Sequence, residues 1–201
     1  MFVQVIQGQT KDPEAVRSAL ERWLADLAPG ATGFLGSTSG VTDDGTSITL
    51  ARFDSEESAR KNSDRPEQGA WWEETSALFT DEVTFDEGTK VFTDLPGDPD
   101  QAGFVQIMRG QSSNPDRGFQ LATQSAPELT RHRPDILGRL IIQHDDGRFT
   151  MAIYFTSEDE ARGGEQKPPP PELTQTMQEL NELNGELTFY DLRNPWLLSP
   201  A

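Results

Sequence analysis

The segment Phe2-Val3-Gln4-Val5-Ile6-Gln7-Gly8-Gln9 returns later in the chain as Phe104-Val105-Gln106-Ile107-Met108-Arg109-Gly110-Gln111. No other feature constrains the fold as strongly, because the likeness continues at one offset through the following residues. Pro13 falls on Pro115, Leu27 on Leu129, Leu35-Gly36 on Leu137-Gly138 and Asp43-Asp44-Gly45 on Asp145-Asp146-Gly147. Phe53, Ser55-Glu56 and Ala59-Arg60 fall on Phe155, Ser157-Glu158 and Ala161-Arg162. Past Arg60 the register slips by about two residues, and Thr84-Phe85 matches Thr188-Phe189. Such order without gaps marks an internal duplication, and a period of roughly 100 residues is the size of a small domain rather than of a solenoid repeat. The 201-residue chain therefore reads as two units: residues 1–95, a linker at 96–102, and residues 103–201. Units this small gain stability by burying a shared face.

Within the first unit, Phe2–Gln9 has apolar residues on both of its alternating faces and reads as a covered strand. Asp12-Pro13 is a helix start, and Val16, Leu20, Trp23, Leu24 and Leu27 form one apolar stripe. Pro29-Gly30 stops that helix. Strands are expected at 34–41 and 47–53 around the Asp43-Asp44-Gly45 turn. Asp54 with Glu57 resembles a capping box for a second helix, which Pro66 interrupts and Trp71, Trp72, Thr75, Leu78 and Phe79 continue. Residues 83–92 read as a fourth strand. The order is β-α-β-β-α-β, the ferredoxin-like arrangement, and the second unit repeats it. Strands are expected near 103–111, 135–143, 148–155 and 186–191, with helices near 115–130 and 172–183. There Gly163-Gly164 and the run Pro168-Pro169-Pro170-Pro171 break the second helix. The proline run reads as a rigid spacer in preference to a docking ligand for a partner groove. The apolar tail Trp196-Leu197-Leu198 is expected to pack back onto the protein.

Asp and Glu total 34 against 17 Lys and Arg, a net charge of −17. That charge repels phosphate backbones and anionic lipid, so neither nucleic acid nor membrane is expected as a partner. The chain has no cysteine, which excludes disulfides, thiolate metal sites and a cysteine nucleophile. The N-terminus carries no basic and apolar leader, and no apolar run approaches the ~20 residues of a membrane span. These features make a cytoplasmic soluble protein the expectation.

The repeat, the β-α-β-β-α-β order and the passage Phe53-Asp54-Ser55-Glu56-Glu57-Ser58-Ala59-Arg60-Lys61-Asn62 together resemble the dimeric α+β barrel superfamily. Within it, the likeness is to antibiotic-biosynthesis-monooxygenase-type domains. The segment Arg65-Pro66-Glu67-Gln68-Gly69-Ala70-Trp71-Trp72 suits an uncharacterised bacterial branch. The resemblance implies an α+β fold in which two tandem ferredoxin-like repeats form an intrachain dimeric α+β barrel, as a monomer or a homodimer. It implies a cleft between sheet and helices that takes a small apolar, aromatic or polyketide-like molecule. It also implies cofactor-independent monooxygenation, with no metal or other cofactor; the alternative is a non-catalytic ligand-binding or structural barrel. Heme-degrading relatives use Asn, Trp and His.

On that resemblance Asn62 and Trp72 are the candidate catalytic residues, Asn62 to hydrogen-bond a phenolate and Trp72 to stack on the substrate. Arg52, Trp71 and Gln4 are candidate ligand-binding residues. The competing reading makes Asn62 a surface helix residue and the Trp pair core. Members of the family often carry a His near this position, where this chain has Asn62-Ser63, and no general base is evident. Arg52 shares a strand face with Ile48 and Leu50, unusual for a charge unless it meets an acid or a ligand. Gln4 and its repeat Gln106 lie mid-strand and need partners, either each other or a ligand. The second unit has Gly164 in place of Asn62 and Leu173-Thr174 in place of the Trp pair, so the first unit is expected to hold any site, near Asn62, Trp72 and Arg52. His144-Asp145-Asp146 is a weak metal pattern, because adjacent residues at a turn rarely converge on one ion, and no metal site is expected. No phosphate loop or hydrolase motif is present.

Overall fold

The computed structural model describes residues 1–199. Among these described residues, ten strands and seven α-helices follow the duplication. In the first repeat these are β1 (Phe2–Gln9), α1 (Pro13–Asp26), β2 (Phe34–Val41), β3 (Thr46–Phe53), α2 (Glu56–Ser63), α3 (Pro66–Ser76) and β4 (Thr84–Gly88). They are followed by β5 (Lys90–Asp94), β6 (Phe104–Gln111), α4 (Pro115–Gln124), α5 (Ala126–His132), β7 (Ile136–Gln143) and β8 (Arg148–Phe155). The chain closes with α6 (Glu158–Glu165), α7 (Pro171–Leu183), β9 (Thr188–Leu192) and β10 (Trp196–Leu198). The architecture is α+β, two tandem ferredoxin-like repeats with antiparallel sheets ordered β10-β2-β3-β1-β4 and β5-β7-β8-β6-β9.

Local chemistry explains most of these elements. The Asp12 carboxylate accepts the Ala15 N–H and Pro13 opens α1, satisfying one free donor of the first turn. Val16, Ala19 and Trp23 are its buried stripe. The helix ends at Asp26 in a short 3-10 turn, Ala28–Gly30. Gly45 and Gly147, at φ of 85° in both hairpins, take the left-handed conformation that the Asp-Asp-Gly turns need. The cap of α2 is Ser55, whose hydroxyl accepts the Ser58 N–H, and not Asp54. Ser157 does the same for Glu160 in α6, so the shared Ser-Glu pair, rather than a capping box, starts this helix in both repeats.

Four expected elements divide. The helix expected at 115–130 breaks at Ser125, before Pro127, giving α4 and α5. The second helix of the second repeat breaks before Pro171, as expected, and that of the first breaks before Pro66, because proline cannot continue a preceding turn. The strand expected at 83–92 ends at Gly88; β4 pairs with β1, whereas β5 pairs with β7. Thr93 and Asp94, at the end of the expected first unit, lie opposite Leu140 and Arg139 in that ladder. The tail behaves reciprocally: after Asn194-Pro195, β10 pairs with β2, Trp196 opposite Ser39. The first compact unit is consequently discontinuous in sequence, comprising residues 1–89 with the C-terminal segment from Asn194, and the second is Lys90–Arg193.

Strand alternation gives each sheet two different faces. In the first unit Val3, Val5, Ile48 and Leu50 are fully buried on one face. On the other, Phe2, Phe34 and Phe53 pack with Trp23, Ala31 and Ala59 from the helical layer. In the second unit Phe104, Ile136, Phe155 and Ala161 form the corresponding cluster. Among the described residues no helix is long and apolar enough to cross a membrane.

Candidate functional site

Between the sheet and helices of the first unit lies a cavity of about 430 Å³. Its floor is the β1–β3 face that alternation sets toward the helices: Gln4, Ile6, Thr49, Ala51 and Phe53. Its roof is Leu20 and Trp23 of α1, Asn62 of α2, and Gln68, Trp71 and Trp72 of α3. Phe34 and Ser37 of β2, Phe85 and Glu87 of β4, and Leu198 of β10 complete the wall.

Aromatic rings form a continuous chain around this space. Phe53 meets Phe34 at 5.6 Å between centroids, and Phe34 meets Trp23 edge-on at 4.7 Å. Trp23 lies 6.4 Å from Trp71, Trp71 lies 6.1 Å from Trp72, and Trp72 meets Phe85 at 5.2 Å. Edge-to-face contacts of this kind hold rings at defined angles. Phe85, 48 % exposed, ends the chain at the rim.

The polar groups in the roof are locked by donors that cannot accept. Trp23 donates its indole N–H to Gln68 Oε1 at 2.6 Å, and Arg65 donates to Asn62 Oδ1 at 3.0 Å. Indole and guanidinium only donate, so both amide oxygens are assigned by their partners. The Asn62 amide nitrogen then donates one hydrogen to Gln68 Oε1 at 3.3 Å. With its oxygen taken twice, Gln68, a residue of the cavity lining, has its amide N–H groups left to offer a ligand. Arg65 also donates to the Leu27 carbonyl at 3.0 Å, and Trp71 donates its indole N–H to the Ala19 carbonyl at 3.1 Å, tying α3 to α1.

The floor carries a second network. Gln4 donates to Glu87 Oε1 at 3.1 Å, and Arg60 donates to both carboxylate oxygens, at 2.7 Å to Oε1. The Arg60 guanidinium holds the Glu87 carboxyl below its ordinary value of 4.5, with Gln4 adding to the effect against partial burial. The second repeat builds the same triad: Gln106 donates to Asp191 at 2.9 Å and Arg162 pairs with Asp191. Gln4 and Gln106 thus each bond an acid of their own repeat.

Of the residues expected to form a site, Asn62, Trp72, Trp71 and Gln4 line this cavity. Asn62 is buried, 7 % exposed, and is not a surface helix residue. Arg52 does not join them. It sits between cavity-lining Ala51 and Phe53, so the two-residue strand period turns it to the opposite face, where its guanidinium lies against Gly36. Trp23, Gln68, Arg60 and Glu87 were missed. Arg60 carried a signal, as an identity of the internal repeat with Arg162; Glu87 carried a weaker one, as an acid matched by Asp191 once the register slips. His144 is buried with Nε2 2.9 Å from Thr150 Oγ1, and Asp146 pairs with Arg148. Among the described residues no cluster of three or more metal-ligating acids and histidines occurs.

The equivalent space in the second unit holds arginine side chains. Arg139 stands where the first repeat has Ser37; it is buried, donates to the Ala126 carbonyl at 2.9 Å and pairs with Asp94. Arg133 occupies the space beside Gly164 that a side chain there would need, held by Asp135 and the Ala161 carbonyl. Ile153 and Met151 replace the smaller Ala51 and Thr49 of the floor.

Solved structures with this architecture are known. A putative monooxygenase from Lactobacillus acidophilus superposes with a TM-score of 0.74 at 12 % identity, covering 98 % of this chain and 99 % of its own. A putative monooxygenase from Fusobacterium nucleatum gives 0.75 at 10 %, covering 98 % and 94 %. An anthrone oxidase-like protein gives 0.67 at 10 %, covering 98 % and 92 %. The fold is the one these three structures share. Because these monooxygenase-like chains match over nearly their whole length, the tandem arrangement is common to them and to this protein. No family model matches the sequence. No curated protein matches it either.

Proposed function

We propose that the first unit binds a planar aromatic or polyketide-like molecule in its cleft and oxygenates it without a cofactor. The observation that carries the reading is the pairing of an aromatic-walled cavity of about 430 Å³ with amide donors of assigned orientation. Apolar walls supply binding at roughly 25 cal/mol per Å² removed from water. The Gln68 N–H groups supply a partner for a carbonyl or enolate oxygen, as an oxyanion-stabilising donor does. The names of the structural neighbours, two putative monooxygenases and an anthrone oxidase-like protein, point the same way.

The chemistry fits an acidic carbon acid such as anthrone. Loss of a proton gives an enolate; its carbon passes electrons to dioxygen, a C–O bond forms, and the hydroperoxide loses water to leave a ketone. One dioxygen is consumed per substrate, one oxygen atom entering the product and the other leaving as water. Glu87 is the acid in the cleft wall, and Arg60 makes it a weak base, so the substrate itself must be acidic. That same ion pair favours the second reading, binding without turnover.

Anthrone serves as the test molecule. Tryptophan fluorescence is titrated without oxygen, then oxygen uptake and anthraquinone absorbance are followed in air. Saturable quenching with stoichiometric uptake supports oxygenation, and quenching without uptake supports binding alone. Absence of saturable quenching removes both readings.

A further inference from the structure

The second unit has a separate cavity of about 80 Å³, displaced toward the β7–β8 hairpin. Its walls include Phe119, Ala122, Ile141, Phe149, Met151 and Leu180. Two polar atoms at this apolar space, Ser112 Oγ and Gln143 Oε1, are buried without a hydrogen-bond partner. A buried polar group left unpaired costs about 1–3 kcal/mol, so two around one small cavity call for an explanation. The first repeat has neither. Its counterpart of Ser112 is Thr10, whose hydroxyl donates to the Leu78 carbonyl at 2.9 Å, and its counterpart of Gln143 is Val41.

Orientation narrows the chemistry. Gln143 Nε2 donates to Asp116 Oδ1 at 3.4 Å, and Lys90 pairs with the same carboxylate oxygen at 2.6 Å. A carboxylate accepts only, so the Gln143 amide nitrogen faces Asp116 and the unpaired oxygen remains an acceptor that requires a donor. The Ser112 hydroxyl can accept or donate. Gly118 leaves room beside that hydroxyl, since a Cβ there would stand 3.2 Å from Ser112 Oγ.

We propose that this cavity is a second small-molecule site, for a hydroxylated apolar molecule no larger than one ring, of which phenol is the simplest. Its ring packs on Phe119, Phe149 and Met151, and its hydroxyl donates to Gln143 and accepts from Ser112. The cavity is too small for the tricyclic compounds that suit the first unit.

The chain has four methionines, and Met151 is in the wall, so methyl-labelled methionine in the full-length protein reads the site directly. Phenol should shift the Met151 methyl resonance saturably, with or without anthrone present. Benzene should bind at least about fivefold more weakly, the worth of about one hydrogen bond. Gln143→Leu should lower phenol affinity to the benzene level, and Ala122→Leu, which fills the space, should abolish the shift. Should Ala122→Leu fail to fold, judged by lost methionine dispersion, Gly118→Ala takes its place and should weaken phenol. The proposal is overturned if phenol leaves Met151 unmoved, as it would were the two polar atoms bridged by tightly held water. It is equally overturned if Gln143→Leu binds phenol as tightly as the wild type.

Discussion

The indole N–H of Trp23 is 2.6 Å from Gln68 Oε1, so helix α1 orients the amide that α3 presents to the cleft. The contact joins stability to recognition. Gln68→Leu should destabilise the protein by about 1–3 kcal/mol, because the indole donor would be buried without an acceptor. Gln68→Glu keeps the acceptor while removing the N–H donors. It should retain most of the thermal stability and lose about tenfold or more in anthrone affinity, measured by melting and fluorescence titration. Equal anthrone binding in both variants and wild type would show that the amide does not meet the ligand.

Filling the first cleft with the residues of the second tests the cavity itself. Thr49→Met with Ala51→Ile reproduces the floor of the other sheet, in register with β1. Anthrone quenching should fall by an order of magnitude or more, since overpacking removes the space. Circular dichroism should report an intact fold. Arg52→Ala and Tyr154→Phe, at the matching position of the other repeat, should leave quenching unchanged.

The Glu87 pairing predicts a pH dependence. Its folded value lies below the ordinary 4.5, chiefly because Arg60 donates to it. A depressed carboxyl contributes stability that is present above its unfolded value and is lost as pH falls through the folded value. Wild-type stability should therefore decline below pH 4.5 more steeply than that of Glu87→Gln, read as melting temperature against pH. Parallel curves would refute a contribution from this pair.

The C-terminal strand is expected to matter for the first unit. Deleting residues 194–201 removes Trp196, 9 % exposed, and uncovers the β2 edge. Loss of one large buried side chain alone is worth about 2–3 kcal/mol, and an open edge invites aggregation. The truncated chain should melt lower and associate at concentrations where the full chain does not, measured by light scattering.

The amino-acid sequence by itself determined the duplication, the β-α-β-β-α-β order and most element boundaries. Those features are written in local terms: a Pro at N1, an Asp-Asp-Gly turn, a two-residue alternation, an apolar helical stripe. Four of the five expected site residues, Asn62, Trp71, Trp72 and Gln4, line one cavity. Arg52 was separable in principle, since its alternation with Ala51 and Phe53 already set it on the other face. Tertiary structure decided the rest, because non-local pairing has no local signature. Val83–Phe92 carries one continuous strand pattern, yet β4 pairs with β1 and β5 with β7; only the available sheet edges choose between those ladders. Glu87 looks like any acid on an acidic chain until the sheet sets it beside Gln4 and α2 brings Arg60 to it. Gln68 is likewise one polar helix residue among many until Trp23, 45 positions away, takes its oxygen and leaves its nitrogen for the cleft.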